Sequence, residues 1–115
     1  MDSESFVHVL RIAVRDPAIT QTIGYIAAPP GRKIPDDVKE MSSWYNNLND
    51  NDKRMLSAIL EKAVDSAMFG FLSVLDGTSA IEERHLKGRL KLSYVGAEET
   101  LLNSPDGPLL HELYS

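Results

Sequence analysis

The chain has no cysteine in its 115 residues. Disulfide frameworks, thiolate zinc sites, iron–sulfur clusters and cysteine nucleophiles are therefore excluded together, and a reducing cytoplasm suits the composition. Its seven glycines form neither GxGxxG nor GxxxxGK[ST], and no GxSxG nucleophile elbow is present. The three histidines, His8, His85 and His111, include no pair at i, i+3 or i+4, the spacing a helical metal site uses, so neither a metal nor a cofactor is implied. Residues 1–16 lack the basic start and uncharged apolar run of a signal peptide. Asp65 and Asp76 bracket the most apolar stretch, which falls short of the roughly 18 residues a membrane span needs. Lysine and arginine number 12 against 17 acids, a net charge of −5. That balance argues against nucleic acid as a partner, since phosphate binding runs on positive charge.

What charge there is lies unevenly. Arg84, Lys87, Arg89 and Lys91 are the last basic residues, and beyond them stand only Glu98, Glu99, Asp106 and Glu112. Such an acidic tail serves either as a solvated face or as a contact surface for a basic partner. The length suits a single domain able to fold without metal or disulfide.

Hydrophobic spacing predicts a helix over about 4–15, with Ser3 as N-cap, Phe6, Val9, Leu10 and Ala13 on its apolar side and Asp16-Pro17 as its end. His8 falls on the opposite, polar side. Residues 18–28 are ambiguous between a short helix and an irregular buried segment, because Thr20, Thr22 and Gly24 interrupt the apolar spacing. Residues 29–35, PPGRKIP, read as a loop. A helix follows over about 36–48, with Asp36, Asp37 and Glu40 favoured near its start by the helix dipole. Val38, Met41, Tyr45 and Leu48 form its stripe and Trp44 widens it. Trp44 and Tyr45 read as core packing or as a half-exposed aromatic anchor at an interface.

The organising element is a helix over about 52–75, capped from the Asn49–Asp52 turn. Its apolar pairs, Met55/Leu56, Ile59/Leu60, Ala63/Val64, Ala67/Met68 and Phe71/Leu72, recur every four residues. Four residues turn a helix 400°, so the stripe rotates about 40° at each step. The last turns are thus expected to be covered on every side, by other elements or by a second chain. Ser66, Gly70 and Ser73 suggest a tight helix crossing there, within the chain or across a dimer. Asp65, at the margin of the apolar half, is expected to pair with Arg11, Arg15 or Lys62, the alternative being a buried acid with a functional role. Gly77 closes the helix. Residues 79–86 could add a helical turn. Alternation over 89–94 and the loop at 96–99 predict an antiparallel hairpin near 89–103. Pro108 then opens a short terminal helix with Leu109, Leu110 and Leu113 inward and His111 and Glu112 outward.

Three stretches together resemble small uncharacterised bacterial proteins, some of them immunity proteins of toxin systems. They are Trp44-Tyr45-Asn46-Asn47-Leu48 through Asp52-Lys53-Arg54, then Ala63 to Leu72 with Leu75-Asp76-Gly77, and Leu101 to Gly107 with His111-Glu112-Leu113-Tyr114. Asp65 and Asp76 belong to this pattern, and no catalytic residue is carried over with it.

The expectation is an α+β chain, mostly helical, with the long helix, the hairpin and a short C-terminal helix. The leading functional reading is a small acidic cytoplasmic binding protein, an immunity-type inhibitor touching a basic protein through Trp44, Tyr45, Glu98, Glu99, Asp106 and Glu112. Its alternatives are a homodimeric structural or regulatory protein and a small enzyme using Asp65 or Asp76 with His85 or His111. No membrane partner is expected.

Overall fold

A computed structural model describes residues 1–78 and 88–115; the expectations for 79–87, the extra helical turn and His85 among them, lie outside the described residues. The architecture is α+β. In chain order come α1 (Ser3–Leu10), a π-helical turn (Arg11–Arg15), α2 (Asp16–Ala27), α3 (Asp36–Asn46), α4 (Asp50–Asp76), strands β1 (Ser93–Val95) and β2 (Glu99–Leu101), and α5 (Leu110–Tyr114).

Asp16-Pro17 does not end the first helix. Proline lacks an N–H, and its ring presses on the carbonyl four residues back, here that of Ala13. The helix answers by widening just before the ring. The Asp16 N–H bonds the carbonyl of Arg11, five residues back, and α2 continues directly. Thr20 and Thr22 fit within α2 because their hydroxyls donate to the carbonyls of Asp16 and Ala18, at 3.1 and 2.6 Å. The ambiguous segment is thus helical. The N-cap of α1 is Asp2, whose carboxylate accepts from the Ser5 N–H at 2.8 Å. Ser3 instead donates to the carbonyl of Leu102 at 2.7 Å, tying α1 to the hairpin. The buried residue of α1 is Val7, with Phe6 and Leu10 packed around it, whereas Val9 and Ala13 are exposed.

α4 starts at Asp50, where the Asn49 side chain accepts from the Asp52 N–H at 2.8 Å, and it ends at Gly77 in the left-handed conformation, φ 77°. The main core lies against its C-terminal half. Val7, Leu72, Leu110 and Tyr114 are buried together, with Met68, Leu75, Leu92 and Leu113 packed on them. The hairpin pairs Ser93 with Leu101, Tyr94 with Thr100 and Val95 with Glu99, and a Leu102 N–H to Leu92 carbonyl bond extends the pairing. Buried Asn103 ties this ribbon to α4. Its amide donates to the carbonyls of Leu75 and Leu90 at 2.7 and 2.9 Å, and its oxygen accepts from the Leu92 N–H at 2.8 Å. A buried amide with these bonds made stabilises; left unpaired it would cost about 1–3 kcal/mol.

The four-residue spacing of α4 divides its apolar pairs cleanly. Leu56, Leu60, Val64, Met68 and Leu72 are all at least half-buried, a line that winds around the helix as it climbs. Met55, Ile59, Ala63, Ala67 and Phe71, their neighbours in each pair, are all exposed. The described elements of the chain therefore do not cover the end of the helix on every side: Phe71 is 62 % exposed. Among the described residues no close neighbour stands at Gly70, where an added Cβ meets no atom within 4 Å, although Ser73 of the same small-residue line is buried. Among the described residues no helix is long and apolar enough to cross a membrane.

Candidate interaction surface

Asp76 is the last residue of α4 and is expected from sequence to be a candidate acid. Gly77 turns the chain away behind it, leaving its carboxylate facing the start of α5. It accepts the backbone N–H groups of Leu110 and His111, both at 2.9 Å, and meets His111 Nδ1 at 2.6 Å. Because the first N–H groups of a helix have no partner within it, this carboxylate satisfies them from outside. With two N–H groups directed at it the carboxylate is an acceptor, so Nδ1 carries the proton. The imidazole also meets Phe69 edge-to-face, with ring centroids 5.1 Å apart. His111 therefore does not face away from the core as its spacing implied. The Asp76 side chain is 2 % exposed. Its geometry fastens α5 to α4.

About one turn further along α5, a second acid is engaged. Arg15 forms a two-pronged pair with Asp65, Nε to Oδ1 at 3.0 Å and Nη2 to Oδ2 at 3.2 Å, while its Nη1 reaches Asp16 at 3.0 Å. The Tyr114 hydroxyl donates to Asp65 Oδ1 at 2.5 Å, and the Arg11 guanidinium lies 4.2 Å above the Tyr114 ring. The π-helical turn sets this up, since both arginines are its end residues. Asp65 thus pairs with one of its expected bases. The hydrogen bonds from Arg15 and then from Tyr114 hold its carboxyl down at about 2. Burial, and next the bond to Asp65, push the Tyr114 phenol up to about 12.

Two pH limits follow. Asp65 has a folded value near 2 and an unfolded one near 3.8. The unfolded chain therefore takes up this proton first, and the contribution, whole above pH 4, is lost as pH falls from about 4 to 2. The Asp65 side chain is 39 % exposed, so solvent screening keeps that contribution modest. Tyr114 runs the other way: its contribution is whole below pH 10 and is lost as pH rises from about 10 to 12. In an ultraviolet titration of phenolate absorbance, the step near pH 12 is expected to disappear in Tyr114→Phe and to move down in Asp65→Asn.

The expected partner-binding residues separate into two groups. Trp44 is not core; it is 57 % exposed on α3, one turn beyond Met41, also exposed, with Asp37 and Glu40 exposed on the same side. Tyr45 is half-buried, and the Lys53 ammonium stands 5.2 Å from its ring. Glu98, Glu99, Asp106 and Glu112 are all exposed, on or beside the hairpin and on α5. The first group lies by Lys53 near the start of α4 and the second by its end at Asp76, about 35 Å along the helix axis. A cleft of about 270 Å³ lined by Pro29, Ile34, Lys39, Ser42, Ser43 and Asn46 is on the opposite side of α3 from Trp44 and does not extend its patch.

Sequence reasoning missed Tyr114 as a partner of Asp65 and as the ring beneath Arg11; the Asp76–His111 pair was among the acid–histidine combinations of the enzyme alternative. Tyr114 carried no local signal, because it meets Asp65, as His111 meets Asp76, only once α5 packs on α4. No protein-family model, curated protein or solved structure matches this chain.

Proposed function

We propose that this is a small binding protein, an immunity-type inhibitor acting in the bacterial cytoplasm, that engages a basic protein partner. The observation that carries the reading is the exposed Trp44, set beside Met41 and flanked by Asp37 and Glu40. A half-exposed tryptophan within an acidic rim is the composition of an interface hot spot, where the ring supplies the buried area and the charges steer approach. The exposed Glu98, Glu99, Asp106 and Glu112 add to the field that attracts a basic partner from a distance. Resemblance to small bacterial proteins, some of them immunity proteins, supports the same reading.

Trp44 is the only tryptophan in the chain, so its fluorescence reports this surface alone. Peptides selected from a random display library on the whole protein are expected to be basic and to carry an aromatic or large aliphatic side chain. Their binding should shift Trp44 emission to the blue, weaken roughly tenfold or more between low and moderate salt, and be lost in Trp44→Ala. Selected peptides that leave the emission unmoved and bind Trp44→Ala equally well would overturn the proposal, as would a selection that enriches nothing.

The 2.6 Å contact of Asp76 with His111 favours a second reading, in which the carboxylate orients the imidazole as a general base of a small enzyme. Hydrolytic activity lost in His111→Gln with an unchanged melting temperature would support it. A fall in melting temperature without any activity to lose would leave the pair as a fastening only. Asp65 is the weaker candidate, its oxygens being engaged by Arg15 and Tyr114.

A further inference from the structure

We infer that the cleft between the 29–35 loop and α3 binds a small aliphatic carboxylate. Its volume is about 270 Å³, just under the ~300 Å³ at which drug-sized sites begin, so it suits a ligand of amino-acid size. One wall is apolar and comes from Pro29 and Ile34 of the loop, between which Gly31, left-handed at φ 93°, turns the chain. The other wall is a polar row on α3. Lys39, Ser42, Ser43 and Asn46 stand at i, i+3, i+4 and i+7 and so share one face of the helix.

The hydrogen bonds of this row fix what it can offer. Asn46 donates its amide to the Ala27 carbonyl at 3.0 Å and to Ser42 Oγ at 3.3 Å. The first bond anchors α3 to the last residue of α2, so the wall is set without a ligand. The second occupies a lone pair of Ser42 and leaves its O–H to donate elsewhere. Neither the Ser43 hydroxyl nor the Lys39 ammonium has a partner among the described residues. The row therefore presents one ammonium and two hydroxyl donors, with Asn46 Oδ1 as its acceptor. The chain has 17 acids, yet among the described residues no carboxylate lines the cleft. Asp36 stands one turn before Lys39, outside the lining, and Asp37 and Glu40 lie on the Trp44 side. Exposed Arg32 and Lys33 add positive charge to the loop and draw anions toward it.

These groups select the ligand. One ammonium balances a monoanion, and the two oxygens of a carboxylate accept from Lys39 and the serine hydroxyls together. A phosphate dianion would leave a charge unbalanced by the lining. Asn46 Oδ1 is neutral, so it suits an amide N–H rather than a free ammonium, and Pro29 and Ile34 cover an aliphatic chain. An aliphatic amino acid acylated on its nitrogen carries all three groups, either free or as the last residue of a peptide.

The cleft is separate from the Trp44 surface, so the two proposals fail independently. In amide-resolved NMR of the whole chain, N-acetylleucine is expected to shift Ser42, Ser43 and Asn46 saturably, with a Kd of order 1 mM. Trp44→Ala is expected to bind it unchanged. N-acetylleucinamide, which lacks the charge, should bind at least about tenfold more weakly. Lys39→Gln and Ser43→Ala, both at exposed positions, should keep the helical circular dichroism and weaken binding roughly tenfold and threefold. A tripeptide ending in leucine with a free carboxylate separates the two sources: tighter binding than N-acetylleucine assigns a peptide C-terminus, and weaker binding the free acid. The absence of saturable shifts up to about 20 mM overturns the inference. So does equal binding of the amide analogue, equal binding by Lys39→Gln, or tighter binding of inorganic phosphate than of N-acetylleucine.

Discussion

Leu110→Ala is expected to remove about 3–5 kcal/mol of stability, and Leu72→Ala a similar amount. Both leucines are fully buried, and each packs in the cluster with Val7 and Tyr114. The loss combines the transfer free energy of the deleted carbons with the cavity left among Phe6, Met68 and Leu113, which cannot all move inward. Net stability of a chain this size is of order 5–15 kcal/mol, so either change takes a large share of it. The measurement is urea unfolding followed by circular dichroism, read as a fall in midpoint at constant slope. Val95→Ala, at the most exposed large apolar position among the described residues, is the control and should change stability by less than about 0.5 kcal/mol. The double variant should lose less than the sum, because both leucines line one space. A change below about 1 kcal/mol at Leu110 would show that α5 is not part of the folded core.

Asp76→Ala is expected to cost about 3–5 kcal/mol, although it deletes no apolar side chain. It leaves the N–H groups of Leu110 and His111 and the His111 Nδ1 without the acceptor they share. The effect has a distinctive second readout. α5 carries Tyr114, so once its start is released the phenol leaves Asp65 and the apolar cluster. Its ionisation should then fall from about 12 back toward its ordinary value near 10. Hydrogen exchange at Leu110 and His111 should accelerate while the middle of α4 keeps its protection. Asp76→Asn, which retains one acceptor oxygen, should lie between the variant and the wild type. An unaltered Tyr114 titration in Asp76→Ala would refute the assignment of this carboxylate as the fastening of α5.

Much of the architecture was legible because it is local. The Asn49 cap, the Gly77 stop and the repeating apolar pairs mark α4 within a few residues of its ends. The alternation around Leu92 and Tyr94 marks the hairpin, and Pro108 precedes α5. Local rules misled at Pro17, where a proline read as a terminator is absorbed by one widened turn. They misled again at Thr20 and Thr22, whose hydroxyls bond back to the helix carbonyls. The candidate acids were legible only as single residues. Asp65 was expected to find a base, and Arg15 is that base; Tyr114 was invisible as its partner, and His111 was only one of two histidines open to either acid, because each is separated from its acid by more than thirty residues.

The sequence by itself determined where α3, α4 and α5 run, that α4 carries a double line of apolar residues winding about its axis, and that the chain is acidic with an uneven charge. Periodicity and capping act between near neighbours, so no tertiary knowledge is needed to read them. Only the tertiary structure decided which line of α4 turns inward, that Trp44 stays exposed, and that Asp76 and Asp65 hold the two ends of α5. The apolar pairs offer two nearly equivalent faces. The choice between them depends on how α1, α2 and α5 reach the helix from distant parts of the chain, and it leaves Met55, Ile59, Ala63, Ala67 and Phe71 on the outside.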